Sequence, residues 1–284
     1  MKIRLAQKKD REKIIEITSH TWEGWDYVYK LLDEWFIEGG LFVAEEDEEI
    51  VGVTKTTILS PGELWLEGIR VKETLRRKGI GKELAFFQLE DALKQKPRVI
   101  RLSTAEVNIE SINLIEMLGF EKIKEFAYME MRNPKEKRSL TEVIKGKDHE
   151  AIWDYIRNST FFNESKGLQP WSWIFRETTP ELISSFIKEE RIFITKKNGR
   201  IVSLAILLPH RYEKETVELC FIEGDSKVEI GDLFDLAQSY AVSNNLKDIT
   251  FYAPFSKLES LAQKAGFSFP YEFKKVFVYE LVSG

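Results

Sequence analysis

The stretch "TLRRKGIGKELAFF", Thr74–Phe87, follows the apolar segment "LWLEGIRV" and runs into "ELAFFQLEDALKQ". The first segment predicts a strand that ends near Val71, and the second predicts a helix that begins at about Gly81. The first amides of a helix have no partner within the helix, and the helix dipole places positive potential there. The stretch therefore predicts an anion-binding loop between a strand and a helix.

The residue types in this loop point to a pyrophosphate as the anion. Gly79 and Gly81 allow the backbone to approach a phosphate where a Cβ atom would intrude. Arg76, Arg77 and Lys78 offer charge-assisted hydrogen bonds to phosphate oxygens. Each such bond contributes about 1.5–3 kcal/mol, so together they could hold a multiply charged cofactor.

The chain repeats its pattern once. "LFVAEEDEEIVGVTKTTILS" (Leu41–Ser60) and "IFITKKNGRIVSLAILLPH" (Ile192–His210) each predict a hairpin. A helical segment and an apolar strand follow in both places, and "NLIEMLGFEKI" returns as "SLAQKAGFSFP". The three blocks keep their order at a spacing of about 150 residues, which indicates an internal duplication.

The 284 residues are therefore expected to form two domains, residues 1–132 and 139–284, joined by the polar segment Arg132–Ser139. Helical and strand patterns alternate in each half, which predicts an α/β fold with a mixed sheet. In the first half we expect strands near 2–6, 41–46, 50–59, 63–71 and 98–104, closing strands over 121–131, and helices near 10–18, 25–38, 80–95 and 110–118.

Composition excludes several classes of function. The net charge is −5 and no basic stripe is visible, so nucleic acid is not an expected partner. No apolar run could serve as a signal core or membrane span, so no membrane partner and a cytoplasmic location are expected. Three scattered His and the single Cys220, in an apolar run, predict no metal site. We expect a monomer or homodimer.

The loop does not fit the two best-known phosphate motifs, because it lacks both GxxxxGK[ST] and GxGxxG. It does match R-x-x-G-x-G at a strand-loop-helix position, with Arg76, Gly79 and Gly81. A second motif is Asn108 followed by "SINLIEMLGF" (Ser111–Phe120). With these two motifs, residues 1–131 resemble the GNAT superfamily of N-acetyltransferases. The second half resembles a degenerate copy of the same domain.

The resemblance implies direct transfer of acetyl from acetyl-CoA, as cosubstrate, to an amine acceptor, either a small molecule or a peptide. It implies a pantetheine arm between two splayed strands that bonds to the backbone of Ile69, Arg70 and Val71, with Asn108 on the opposite strand edge. The phosphates would lie on the loop and the first helical turn, which comprise Arg76, Arg77, Lys78, Gly79, Ile80, Gly81 and Lys82.

Glu67 is the candidate catalytic base, since several members of this family carry a functional carboxylate at this place in the strand. Strand alternation places Glu67 on the same face as Trp65 and Ile69. Glu63 is the reserve candidate. The structural alternative for Glu67 is an exposed strand residue or a partner in an ion pair.

The chain departs from the family in one catalytic position. Many members have a tyrosine that protonates the departing thiolate, and the matching residue here is Ile115. Tyr128 and Ser111 are weak substitutes. The missing tyrosine leaves open an alternative function, that of a non-catalytic acyl-CoA-binding or regulatory protein.

The acceptor site is less clearly marked. The family's substrate cleft is bordered by the aromatic segment His20–Phe36, so Trp22 and Trp25 are candidate substrate-binding residues, with helix packing as the alternative. In the second half, Ser226 aligns with Arg76 and Glu229 with Gly79. A carboxylate in place of that glycine would repel a pyrophosphate, so we expect the second half to bind no CoA.

Overall fold

The computed structural model describes residues 1–19, 21, 26–137 and 144–282. The chain divides into two compact units. The first unit contains Met1–Ser103, Asn108–Ile123 and Val278–Gly284, and the second contains Thr104–Val107 and Lys124–Phe277.

The first unit is a mixed sheet with helices. Its sheet has the strand order β1-β2-β3-β4-β5-β14. Neighbouring strands from β1 to β4 are antiparallel, whereas β4 and β5 are parallel. Its elements are β1 (Lys2–Leu5), α1 (Arg11–Thr18), α2 (Val28–Glu38), β2 (Leu41–Glu46), β3 (Glu49–Ser60), β4 (Glu63–Val71), α3 (Ile80–Lys94), β5 (Val99–Ala105), α4 (Ile109–Met117) and the end of β14 (Lys275–Val282).

The second unit repeats this plan with the strand order β6-β13-β12-β11-β10-β7. A separate antiparallel pair of strands, β8 and β9, lies between α6 and α7 in the sequence. Its elements are β6 (Glu121–Arg132), β7 (Ile144–Lys145), α5 (His149–Arg157), α6 (Thr160–Glu164), β8 (Leu168–Trp171), β9 (Ile174–Glu177), α7 (Pro180–Lys188), β10 (Ile192–Lys197), β11 (Arg200–Pro209), β12 (Thr216–Gly224), α8 (Lys227–Ser243), β13 (Asp248–Ala253) and α9 (Ser256–Ala265).

The boundaries of the two compact units do not coincide with the predicted linker. Lys124–Arg132, from the first half of the sequence, belong to the second unit, where Ala127–Arg132 pair with β13, and Val278 onward belongs to the first unit. Residues 121–132 form one long strand rather than several. The division into domains at residues 132 and 139 therefore stays a prediction, and part of the linker lies outside the described residues.

Both predicted hairpins are present, with different turn chemistry. Asn198 and Gly199 have φ of 52° and 78° in the turn between β10 and β11, as the Asn-Gly pair predicts. Asp47 and Glu48 take the same left-handed conformation, with φ of 49° and 65°, although neither is glycine. The acidic turn is therefore a tight hairpin turn despite its residue types.

Candidate active site

Helix α3 begins at Ile80, and its N-cap residue is Gly79. Gly79 has φ of +90°, a conformation that other residues rarely adopt, and an added Cβ would meet no atom within 4 Å. Because glycine has no side chain to cap the helix, the first amides of α3 keep their capacity to bind an anion. The helix N-terminus at which the anion site is predicted is thus uncapped.

The cations of the loop surround this helix end. Arg76, Arg77 and Lys78 are exposed, and within the described part of the chain none of them forms a salt bridge. Lys82 follows in the first turn, with its ammonium 5.7 Å from the centre of the Phe86 ring. These side chains are available for an anionic ligand at the N-terminus of α3.

The strand that precedes the loop separates from its parallel neighbour. β4 pairs with β5 from Glu63 to Trp65, and the register ends where Trp65 faces Arg101. β4 then continues to Val71 along β3. The segment Ile69–Val71, predicted to bind the pantetheine arm, therefore lies beyond the last β4–β5 pair, at a gap that an extended ligand could enter.

A β-bulge in β4 overturns one prediction about side-chain direction. The β3–β4 register passes from Lys55 facing Glu67 to Val53 facing Arg70, so two residues of β4 face one of β3. Gly68 lies in this bulge with φ of +73°, and a Cβ there would come within 2.9 Å of Trp35.

The predicted alternation of Glu67 with Ile69 is wrong because of this bulge. Ile69 packs with Ile80 and Leu84 on the α3 face of the sheet. Phe42 marks the same face through its ring contact with Phe87 of α3, and it faces Thr54. Lys55, the next residue of β3, must point to the opposite face, and its cross-strand partner Glu67 points with it. Glu67 therefore lies on the face of α1 and α2.

Glu67 is partly buried and accepts a hydrogen bond of 2.7 Å from the Thr57 hydroxyl. The reserve candidate Glu63 has another role. It is 1% exposed and accepts from Arg101 at 2.7 Å and from the Ser60 hydroxyl at 3.0 Å. Because Glu63 is held in a buried ion pair before the strands separate, Glu67 is the better-placed carboxylate.

The side chain of Arg70 is engaged with residues of the first unit and is not available for a cofactor. Its Nε and Nη2 donate to the Asp26 carboxylate at 2.6 and 3.0 Å, and its guanidinium carbon lies 5.5 Å from the centre of the Tyr27 ring. Burial acts to lower the pKa of Arg70, but the charge and hydrogen bond of Asp26, together with the charges of Tyr27 and Glu67, outweigh it and the net shift is upward. Only the backbone of Arg70 is left for the predicted cofactor contact.

The remaining residues named from the sequence lie in different places. Asn108 caps α4, where its Oδ1 accepts from the Ser111 amide at 3.2 Å. Ile115, at the position of the missing tyrosine, is 5% exposed. Tyr128 belongs to the second unit and donates to Glu130 at 2.8 Å. Trp22 and Trp25 lie outside the described residues.

The second unit has the same frame, but its strand is more deeply buried beyond the parallel pairs. β12 pairs in parallel with β13 from Thr216 to Leu219 and continues along β11 to Gly224, and the next residues, Cys220–Ile222, are at most 2% exposed. Glu218 faces Leu208 and is separated from a bulge by one further pair, whereas the pair of Glu67 with Lys55 directly precedes the bulge in the first unit. Glu218 is 0% exposed and accepts from the amide and hydroxyl of Ser172 at 2.7 and 3.1 Å. Burial raises the pKa of Glu218 to about 7.

The helix that corresponds to α3 in the second unit has a side-chain cap at its N-terminus. α8 begins at Lys227, one turn earlier than the alignment with α3 predicts, so Gly231 lies inside the helix. Ser226 caps it by accepting from the amides of Val228 and Glu229. Glu229 accepts from Ser226 and from Lys197, and the hydrogen bond from Lys197 lowers the pKa of Glu229 to about 2. The pattern S-x-x-E was readable as a capping box and was missed.

Comparison with known proteins agrees with this geometry. Residues 11–120 match the sequence model of the acetyltransferase (GNAT) family. Over 90 residues, the chain is 30% identical to the uncharacterized N-acetyltransferase YvbK of Bacillus subtilis (strain 168). That match covers 32% of this chain and 58% of the relative. The chain therefore spans little more than half the length of this curated relative.

Two solved structures share the fold along the whole chain. A GCN5-related N-acetyltransferase from Sphaerobacter thermophilus has a TM-score of 0.69 at 12% identity, over 99% of this chain and 95% of that one. A tandem GNAT protein from the clavulanic acid biosynthesis pathway has a TM-score of 0.65 at 9% identity, over 100% and 98%. At these identities the likeness concerns the fold, which is that of tandem GNAT domains.

Among the described residues, no three His, Cys, Asp or Glu side chains come together as a metal site. None of their helices is long and apolar enough to cross a membrane.

Proposed function

Because residues 11–120 are a GNAT acetyltransferase domain, we propose that the chain transfers acetyl from acetyl-CoA to an amine, with the cofactor bound by the first half alone. The observation that carries this proposal is the pairing of an uncapped helix N-terminus at Gly79 with a strand gap beyond Trp65. In the second half, Ser226 caps the corresponding helix, and the strand segment beyond the last parallel pair, Cys220–Ile222, is buried.

The residues of the first half fit the parts of acetyl-CoA. The first amides of α3 and the cations Arg76, Arg77 and Lys78 would hold the pyrophosphate. The backbone of Ile69–Val71, beyond the last pair with β5, would hold the pantetheine arm. Once bound, acetyl-CoA supplies an acyl group activated as a thioester. An amide of β4 would stabilise negative charge on the thioester oxygen.

Glu67 would supply the base. An ordinary amine has a pKa near 10.4 and is protonated at neutral pH, so it must lose a proton before it can attack. Glu67 lies beside the gap on the face of α1 and α2, and Thr57 fixes one of its carboxylate oxygens. Through one water, it could receive this proton. A thiol with a pKa near 8.5 can leave as thiolate at a cost of about 2 kcal/mol, so the absence of a tyrosine at Ile115 does not prevent the reaction.

Calorimetric titration with acetyl-CoA, followed by release of CoA thiol in the presence of a panel of amines, tests this function. The panel should contain polyamines, amino sugars and peptides with free N-termini or lysines, because the chain does not define the acceptor. We expect one acetyl-CoA per chain and thiol release with at least one amine.

The second candidate function is a non-catalytic acyl-CoA sensor, which Ile115 at the tyrosine position favours. Binding of one acetyl-CoA without thiol release from any amine would support it. A chain that binds no acetyl-CoA at all would overturn both functions.

A further inference from the structure

Arg70 joins strand β4 to the start of α2. Besides its two bonds to Asp26, its Nη1 donates to the carbonyl oxygen of Ile69 at 2.9 Å. Asp26 Oδ1 in turn accepts from the Val28 amide at 3.0 Å, at the first residue of α2. The side chains of Arg70 and Asp26 are 15% and 0% exposed. A planar guanidinium bound at three nitrogens in this enclosed setting has a fixed orientation.

Both ends of this contact lie where the proposed reaction needs precise placement. The carbonyl of Ile69 belongs to the peptide unit that Ile69 shares with Arg70, within the segment expected to bind the pantetheine arm. Asp26 directly follows Trp25 and lies within the aromatic segment His20–Phe36 that would border the acceptor. Arg70 is also close enough to Glu67 for the carboxylate to raise the pKa of the guanidinium.

We propose that Arg70 is a positioning residue for acetyl transfer. Through Nη1 it orients the backbone that would contact the cofactor, and through Asp26 it holds the start of α2 on the face that carries Glu67. This inference rests on the proposed function. It adds a residue that acts through Ile69 and Asp26 and touches neither acetyl-CoA nor the acceptor.

The Arg70→Gln variant separates positioning from binding. A displacement of about 1 Å can cost on the order of 100-fold in rate. We therefore expect its kcat to fall about 10- to 100-fold with the best amine of the panel, while the Kd for acetyl-CoA stays within about threefold. Arg70→Lys should recover only part of the rate, because an ammonium keeps the charge but cannot reproduce the fork of three bonds.

The sheet contains a matched control. Arg101 is 6% exposed and donates to Glu63 and Glu280 at 2.7 Å each, so Arg101→Gln also breaks a buried ion pair of the first unit. It should lower the melting temperature as Arg70→Gln does and leave kcat unchanged at a temperature where both variants are folded. An equal loss of kcat in both variants would overturn the positioning role.

Hydrogen exchange gives a readout that needs no activity. In Arg70→Gln, peptides that cover residues 26–32 and 66–72 should exchange faster than in the wild type and in Arg101→Gln, and Asp26→Asn should show the same pattern. Unchanged exchange, or faster exchange with an unchanged kcat, would overturn the inference. If the wild type binds no acetyl-CoA, the proposed function fails, and faster exchange would still show that Arg70 holds both segments.

Discussion

Glu67 and Glu218 lie near a bulge in corresponding strands of the two halves, yet their surroundings differ. The pair of Glu67 with Lys55 directly precedes its bulge, whereas one further pair separates Glu218, opposite Leu208, from the bulge in β12. At Glu67, the parallel neighbour has already ended its pairing, whereas at Glu218 the pairing continues one residue further, to Leu219. Both strands continue past their last parallel pair, but Ile69–Val71 are partly exposed, whereas Cys220–Ile222 are at most 2% exposed.

The helix that follows differs in the same sense. In the first half, Gly79 leaves the N-terminus of α3 uncapped beside three exposed cations. In the second half, the Ser226 hydroxyl accepts from the first amides of α8 and donates to the Glu229 carboxylate. In the duplicated frame, the first half thus combines a partly exposed strand segment with an uncapped helix end, whereas the second half combines a buried strand segment with a capped helix end.

The largest effect should come from a negative charge at the uncapped helix. Gly79→Glu should abolish acetyl-CoA binding, a loss of more than about 100-fold, because the carboxylate would repel the pyrophosphate and occupy its amides. Calorimetry measures this loss. Gly199→Glu is the matched control, since Gly199 also has positive φ and open space around its Cβ but lies in a hairpin turn of the second half. Equal affinity in both variants would contradict the placement of the pyrophosphate.

The second largest effect should be the difference in kcat between Glu67→Gln and Glu218→Gln. Glu67→Gln should lower kcat by about 100- to 10,000-fold with little change in the Kd for acetyl-CoA, because a general base is removed without loss of a cofactor contact. Glu218→Gln is the matched control, and its turnover should equal that of the wild type. Steady-state kinetics with the best amine decides this. Normal turnover in Glu67→Gln would remove Glu67 from the mechanism.

The buried carboxylate of the second half should be visible in the pH dependence of stability. Burial raises the pKa of Glu218 from 4.5 to about 7, so the folded chain keeps a proton that the unfolded chain releases between these values. The free energy of unfolding should therefore fall by about 3 kcal/mol as pH rises through this range. Urea unfolding at about pH 5 and pH 8.5 gives the change in the free energy of unfolding with pH for the wild type and for Glu218→Gln. The difference between these two changes is the contribution of Glu218. An equal change in both proteins would show that Glu218 does not hold the proton.

Local patterns predicted much of the first half. The bounds of β4 were predicted as they stand, and the glycine and cation pattern identified the loop before α3. These features depend on neighbouring residues, so a single sequence reveals them.

What the sequence did not reveal depends on distant contacts. The Gly68 bulge is set by Trp35 and by the register with β3, and it reversed the expected direction of Ile69 relative to Glu67. The Asp26–Arg70 pair joins residues 44 positions apart. The pairing of Ala127–Arg132 with β13 likewise has no local signal.

The smallest expected effect tests whether the loop alone makes the site. The double variant Ser226→Arg/Glu229→Gly restores the aligned arginine and glycine in the second half. We expect calorimetry still to give one acetyl-CoA per chain, because the strand segment beyond the last β12–β13 pair, Cys220–Ile222, is buried and is not accessible to the pantetheine arm. Loss of the Ser226 cap should cost about 1 kcal/mol of stability, so a melting curve must show that the variant is folded. A stoichiometry of two would mean that the helix end is sufficient and that the strand gap opens only when the cofactor binds.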